Sequence, residues 1–235
     1  MSYARRGLHG QVVDDIGRRI VRGDLAPGTA VDLDALEGAL GVSRTVVREA
    51  VKVLEAKGLL EARPKRGTVV RPRAAWNLLD PDMVGWCFED GPDPRFLAAL
   101  NELRQALEPA AARLAAARAS PEDVAAMREA LAALRADHGN IDASTEDDVA
   151  LHRAILAASG NELLVRVGAL IEAGLRGRDR LAFSYGWDTG YLDRHGEVVA
   201  AIAAGDGDRA ETAMRHLVLD AAADTMRLLG TGDLA

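Results

Sequence analysis

The spacing of apolar residues after Pro94 limits what this chain can become more than any other feature. Six stretches (95–118, 121–137, 144–158, 161–183, 191–204 and 208–229) carry apolar residues at helical intervals. Short breaker sequences separate several of them: Ser120-Pro121, Gly160-Asn161 and Gly205-Asp206-Gly207-Asp208. Connections this short make successive helices antiparallel neighbours, so an antiparallel all-α helical bundle is predicted for 95–235. The composition agrees: 49% of the 235 residues are hydrophobic but only 4% are aromatic. Alanine and leucine therefore supply the core, which suits packed helices better than a β-sandwich.

The first seventy or so residues follow a different plan. Leu8, Val12, Ile16 and Ile20 lie about one turn apart and predict an amphipathic helix over 8–22. A second, short helix fits 34–40 and stops at Gly41. A third starts behind Ser43 as its N-cap, buries Val46, Val47, Ala50, Val51 and Leu54, and ends at Lys57-Gly58. Residues 59–63 and 68–70 then read as two strands around a Pro64-Lys65-Arg66-Gly67 turn. Three helices followed by a basic hairpin make a winged helix-turn-helix. The expected fold class is mainly α: a winged helix-turn-helix over 1–73, a connector over 74–94 able to pack on both halves, and the bundle over 95–235.

Charge divides the chain at the same place. Residues 1–73 carry 14 Lys and Arg against 9 Asp and Glu, whereas the remainder carries 15 against 27. A basic head on an acidic body is what a phosphate-binding module fused to a different function presents. Cys87 is the single cysteine, which excludes an internal disulfide framework and fits a reducing cytoplasm. No basic start followed by an apolar stretch is visible, so no secretory signal is expected. No run reaches about 18 apolar residues, so no membrane partner is expected either.

Within the helix-turn-helix, Arg44 and Thr45 open the third helix and Arg48 follows one turn later, the positions that meet base edges in a major groove. Arginine can take guanine O6 and N7 together, worth about 1–3 kcal/mol per contact. Lys65 and Arg66 stand at the wing tip for phosphate or minor-groove contact, and Gly67 permits close backbone approach. The bland alternative is that Arg44 and Arg48 are solvated helix charges.

The segment GVSRTVVREAVKVLEAKGLLEARPKRGTVV carries a close resemblance of residues 8–73 to the DNA-binding domain of the GntR family. The helical remainder resembles the FCD effector domain of the FadR-type subfamily. RGTVVRPRAAWNLLDPDMVGW and DPRFLAALNELRQALEPAAARLAA are similar to regulators of sugar-acid catabolism, of the galactonate-repressor kind. The resemblance implies a transcription regulator, a repressor, that binds double-stranded operator DNA as a homodimer and answers to a small carboxylate effector. It also implies that Arg44, Thr45, Arg48 and Gly67 touch DNA. One departure stands out. Where the family opens its second helix with Ser-Glu-Arg/Ala-Glu-Leu, this chain reads Asp32-Leu33-Asp34-Ala35-Leu36, so an acidic Asp34 replaces a frequent phosphate contact.

A second constellation lies in the bundle. Asp148 and His152 are four residues apart and share a helix face. The midpoint of His195 and His216, 205.5, falls inside the Gly205-Asp206-Gly207-Asp208 turn, and in an antiparallel hairpin residues equidistant from the turn lie at the same height. Three His and one Asp suit a divalent metal, with Zn²⁺ first and Ni²⁺ or Mn²⁺ as alternatives, and with room for a ligand carboxylate. The alternative is that each His is a separate packed or exposed residue. The resemblance implies the metal set as well, since metal-binding FCD domains use an Asp-x3-His pair and two later His.

Arg104 lies beside the Leu100, Leu103, Leu107 and Leu114 stripe. The resemblance implies that it pairs with the effector carboxylate, and the plain alternative is an ion pair with Glu108 one turn on. Arg178 falls on another apolar stripe and fits either a pocket or a subunit interface. Two further readings stay open at this level: a metal that only holds the bundle shut, and a His/Asp metalloenzyme. The enzyme gives no reason for the basic head and shows no general base with a placed partner.

Overall fold

The computed structural model describes residues 7–89, 93–137, 139–184 and 190–228. It divides into two compact units, Met1–Gly91 and Pro92–Ala235.

In the first unit, α1 (Leu8–Arg22), α2 (Leu33–Leu40) and α3 (Arg44–Ala56) pack around Val12, Ile16, Ile20, Leu36, Val47, Ala50, Val51 and Leu54. Leu8, expected in the α1 stripe, is exposed instead. Gly41 ends α2 in the left-handed region (φ 63°), a conformation that glycine adopts without steric cost, and the chain turns directly into α3. Strands β1 (Leu60–Arg63) and β2 (Gly67–Val70) form an antiparallel hairpin with Leu60 opposite Val70 and Arg63 opposite Gly67. Pro64 sits in the turn, where its missing N–H is not needed. This is a winged helix-turn-helix.

The stretch expected as a connector over 74–94 is partly helical. It contains α4 (Pro81–Glu89), which packs on α1 and belongs to the first unit. The Trp86 ring lies so close over Gly17 that a Cβ there would stand 2.5 Å from it. Its Nε1 donates to Asp14 Oδ1 at 2.9 Å. The Lys57 ammonium reaches Asp80 Oδ1 and Asp82 Oδ2 at 2.7 and 2.8 Å. Burial opposes the charge on Lys57, but these two carboxylates outweigh it and hold the ammonium above its usual range.

The second unit is helical: α5 (Pro94–Arg118), α6 (Pro121–Ala136), α7 (Ile141–Ala158), α8 (Glu162–Ser184), α9 (Gly190–Ala203) and α10 (Gly207–Leu228). Ser120 and Asp123 close a capping box at the start of α6. Helix α7 begins before the expected position 144, because the Asn140 side chain accepts from Ala143 N and caps it. The last expected helical position, 229, lies outside the described residues. Helix α5 packs chiefly on α10, α7 on α6 and α8, and α9 on α10. Glu146 pairs with Arg176 and Arg153 with Glu172, the crossed order of antiparallel neighbours. Among the described residues no helix is long and apolar enough to cross a membrane.

Candidate metal centre and nucleic-acid interface

Polar side chains are expensive to bury, so those at the centre of the second unit need an account. Arg104 and Glu108 from α5, Asp148 and His152 from α7, Arg178 from α8 and His195 from α9 are all buried. Arg104 Nε donates to Glu108 Oε1 at 2.5 Å. Glu108 Oε2 stands 2.7 Å from His152 Nδ1. Asp148 Oδ1 lies 2.9 Å from His195 Nε2 and 3.7 Å from His152 Nε2, and Asp148 Oδ2 lies 3.4 Å from Arg178 Nη2. The Tyr191 hydroxyl donates to Asp148 Oδ1.

Burial pushes both carboxylic acids toward the neutral form, and the basic side chains beside them outweigh it. Arg104 and His152 hold Glu108 down to about 2. His152 and Arg178 hold Asp148 well below the usual carboxylate range. Burial pulls the other way on His195, whose pKa falls below its ordinary value despite Asp148, so the ring is neutral near pH 7.

The tautomer of that neutral ring follows from its neighbours. His195 Nδ1 is 2.8 Å from the carbonyl oxygen of Tyr191. A carbonyl only accepts, so Nδ1 carries the proton and Nε2 is left with a bare lone pair. That lone pair faces the Asp148 carboxylate and has no hydrogen bond among the described residues. Two acceptors at 2.9 Å with no proton between them make a place for a cation. The ligand atoms of Asp148, His152 and His195 all lie within 4.8 Å of one another. This N₂O set suits Zn²⁺, Ni²⁺ or Mn²⁺. The Tyr191 carbonyl and Glu108 are placed behind the two imidazoles in the way outer partners orient metal-binding histidines.

Of the four residues expected as a metal set, the structure brings Asp148, His152 and His195 together and places His216 elsewhere, exposed. Helix α10 buries Ala210, Ala213, Met214, Leu217 and Val218, and His216 falls on the exposed flank of that stripe. Equal spacing about the turn sets height along the hairpin, whereas the apolar stripe sets direction around the helix axis. His216 shares instead a surface concavity with Glu197, Asp206, Arg209 and Thr212. Arg104 and Glu108 do form the pair weighed from sequence, but in the interior. Arg104 Nη2 is buried there with no hydrogen bond among the described residues. The roles of Glu108 and Tyr191 at the centre escaped sequence reasoning. Arg178 left a signal, a lone charge on an apolar stripe, but not its direction.

In the first unit, Arg44, Thr45 and Arg48 are exposed on α3, and Lys65, Arg66 and Gly67 are exposed at the hairpin turn. Lys65 itself takes a left-handed conformation (φ 61°), and Gly67 follows at φ 72°. Thr45, Arg48 and Lys52 line a shallow concavity with Thr68 of β2, so the recognition helix and the wing share one surface. Arg44 is engaged by α2: its Nη2 is 3.4 Å from Asp34 Oδ1 and its Nε 3.9 Å from Glu37 Oε1.

Two family models account for most of the chain. Residues 8–70 match the bacterial regulatory proteins of the gntR family, and residues 99–220 match the FCD domain. The chain belongs to the GntR family, with an FCD domain. This GntR-family protein is therefore a DNA-binding transcription regulator rather than an enzyme, with an effector domain for small molecules. It is 34% identical to the galactonate operon transcriptional repressor of Escherichia coli (strain K12), over 93% of this chain and 95% of that protein. It is 33% identical to the regulator YieP of the same organism, over 92% and 94% respectively. Among solved structures it resembles the fold of Lar from Listeria monocytogenes, with a TM-score of 0.66 at 16% identity over 94% of this chain and 98% of that one.

Proposed function

We propose that this regulator is a homodimeric repressor of a sugar-acid catabolic operon, released from its operator by a carboxylate metabolite. The effector binds in the bundle at a divalent cation held by Asp148, His152 and His195. The observation that carries this reading is His195 Nε2 facing the Asp148 carboxylate at 2.9 Å while Nδ1 lies 2.8 Å from the Tyr191 carbonyl oxygen. Three protein ligands leave a coordination position for a ligand oxygen, and the cation supplies positive charge that a carboxylate can neutralise. The buried Arg104, with Nη2 lacking a hydrogen bond, adds a second donor for the same anion. The sugar-acid class follows from the name of the relative that acts on a galactonate operon.

On the DNA side, Arg44, Thr45 and Arg48 read base edges, while Lys65, Arg66 and the Gly67 backbone hold the duplex backbone. A dimer presents two such heads to successive major grooves of a palindromic site. An effector that favours a domain arrangement unable to place both heads weakens DNA binding by its differential affinity for that arrangement.

The test is thermal unfolding of the full chain against aldonates, 2-keto-3-deoxy sugar acids and dicarboxylates, with and without a chelator. A ligand that binds only the folded state adds about 2.7 kcal/mol at a hundredfold excess over Kd. One sugar acid is expected to raise the melting temperature, to lose that effect with chelator, and to release operator DNA. If no acid shifts the melting temperature while chelator still lowers it, the metal is structural and the effector assignment fails.

A further inference from the structure

The second helix of a helix-turn-helix usually welcomes DNA phosphate, because the N–H groups at its start are free and its dipole is positive there. Here that end is closed. The Asp32 side chain accepts from Asp34 N and Ala35 N, occupying two of those donors with its own carboxylate. Asp34 adds a second negative charge in the first turn of α2. Glu37 lies three residues on, on the same face. The short turn at Gly41 brings this face against the first residue of the recognition helix, where Asp34 and Glu37 flank the Arg44 guanidinium.

We infer that the acidic face of α2 makes this regulator selective: Asp34, supported by Glu37, holds Arg44 for base edges and denies it the phosphate backbone. Asp34 is thus a positioning residue that acts through Arg44. An unrestrained arginine gains most of its DNA affinity from any nearby phosphate, which carries no sequence information. A guanidinium whose one edge is engaged by carboxylates presents its remaining N–H groups in a defined direction, as bidentate guanine recognition needs. Keeping a group from the wrong mode is as effective a source of discrimination as attraction in the right one. The Asp34–Arg44 pair is solvent-exposed in the free protein, so it adds little to folding and its effect lies in binding.

The test uses the full chain, a duplex selected by the wild-type protein from a randomised pool, and a scrambled duplex of equal length. Binding is read by fluorescence anisotropy across a salt series for wild type, Asp34→Asn, Arg44→Ala and the double variant, with Glu37→Gln as a second probe. Asp34→Asn is expected to tighten binding to the scrambled duplex roughly three- to fivefold, the scale of one exposed ion pair. Its gain on the selected duplex should be smaller, so the discrimination ratio falls. The slope of log affinity against log salt on the scrambled duplex should steepen by about 0.9, one added phosphate contact. In the Arg44→Ala background this loss of discrimination should disappear. Glu37→Gln should act in the same direction and less strongly. Equal gains on both duplexes, no gain on either, or a loss of discrimination that persists without Arg44 would each overturn the inference.

Discussion

Arg44 and Arg104 are both paired with an acid, and the two pairs behave oppositely. The Arg44 side chain is 67% exposed and stands 3.4 Å from Asp34. The Arg104 side chain is 2% exposed and stands 2.5 Å from Glu108. An exposed pair contributes about 0–1 kcal/mol, so Arg44 can keep its acid or trade it for DNA at little expense. A buried pair cannot trade, because either charge left alone keeps a desolvation penalty of several kcal/mol. The recognition head is built from charges that exchange partners. The bundle holds its charges locked together in the interior.

That contrast can be broken most forcefully at Glu108. Glu108→Ala leaves Arg104 buried without its carboxylate and removes the acid behind His152, so a loss of about 3–5 kcal/mol is expected in denaturant unfolding. Glu211→Ala removes the acid of an exposed pair at the same i,i+4 spacing, with Arg215, and should lower stability by no more than about 1 kcal/mol. Equal losses would mean that burial does not distinguish the two kinds of pair. Next in size, Arg44→Ala should weaken binding to a selected operator duplex by about 1–3 kcal/mol while leaving the melting temperature unchanged. A fall in melting temperature alongside would give Arg44 a structural role the comparison denies it. Gly17→Ala forces a methyl into the Trp86 ring and should destabilise the first unit by about 1–3 kcal/mol through overpacking. The metal affinity of the second unit, read by calorimetric titration, should not change. The smallest effect is expected from His216→Ala, within about 0.5 kcal/mol in stability and without change in metal affinity. His195→Ala, by contrast, should abolish stoichiometric metal uptake in the same titration. A large loss of metal from His216→Ala would restore it to the ligand set.

Much of the fold was legible because its signals are local. The buried residues of α3 (Val47, Ala50, Val51 and Leu54) follow from period alone. Gly41 and the Ser120–Asp123 box mark helix ends through backbone groups that each need a partner within three or four residues. The Asp148/His152 pair was readable for the same reason, since helix geometry places i and i+4 together. His216 shows where a local rule stops: spacing about a turn says nothing of direction around α10, which is set by Met214, Leu217 and Val218 facing the core. That stripe was itself in the sequence.

By itself, then, the sequence determined the helices, the hairpin, the basic head and the residue types able to hold a metal, because each depends on neighbours within a turn or two. Only tertiary structure decided that α4 closes onto α1 through Trp86 and Gly17. It also decided that Glu108 backs His152, and that Arg178 and Tyr191 converge on Asp148. Those contacts join residues 30 to 70 or so positions apart, and no periodicity encodes them. They follow from which helix faces pack together, and burial then assigns each polar group its partner.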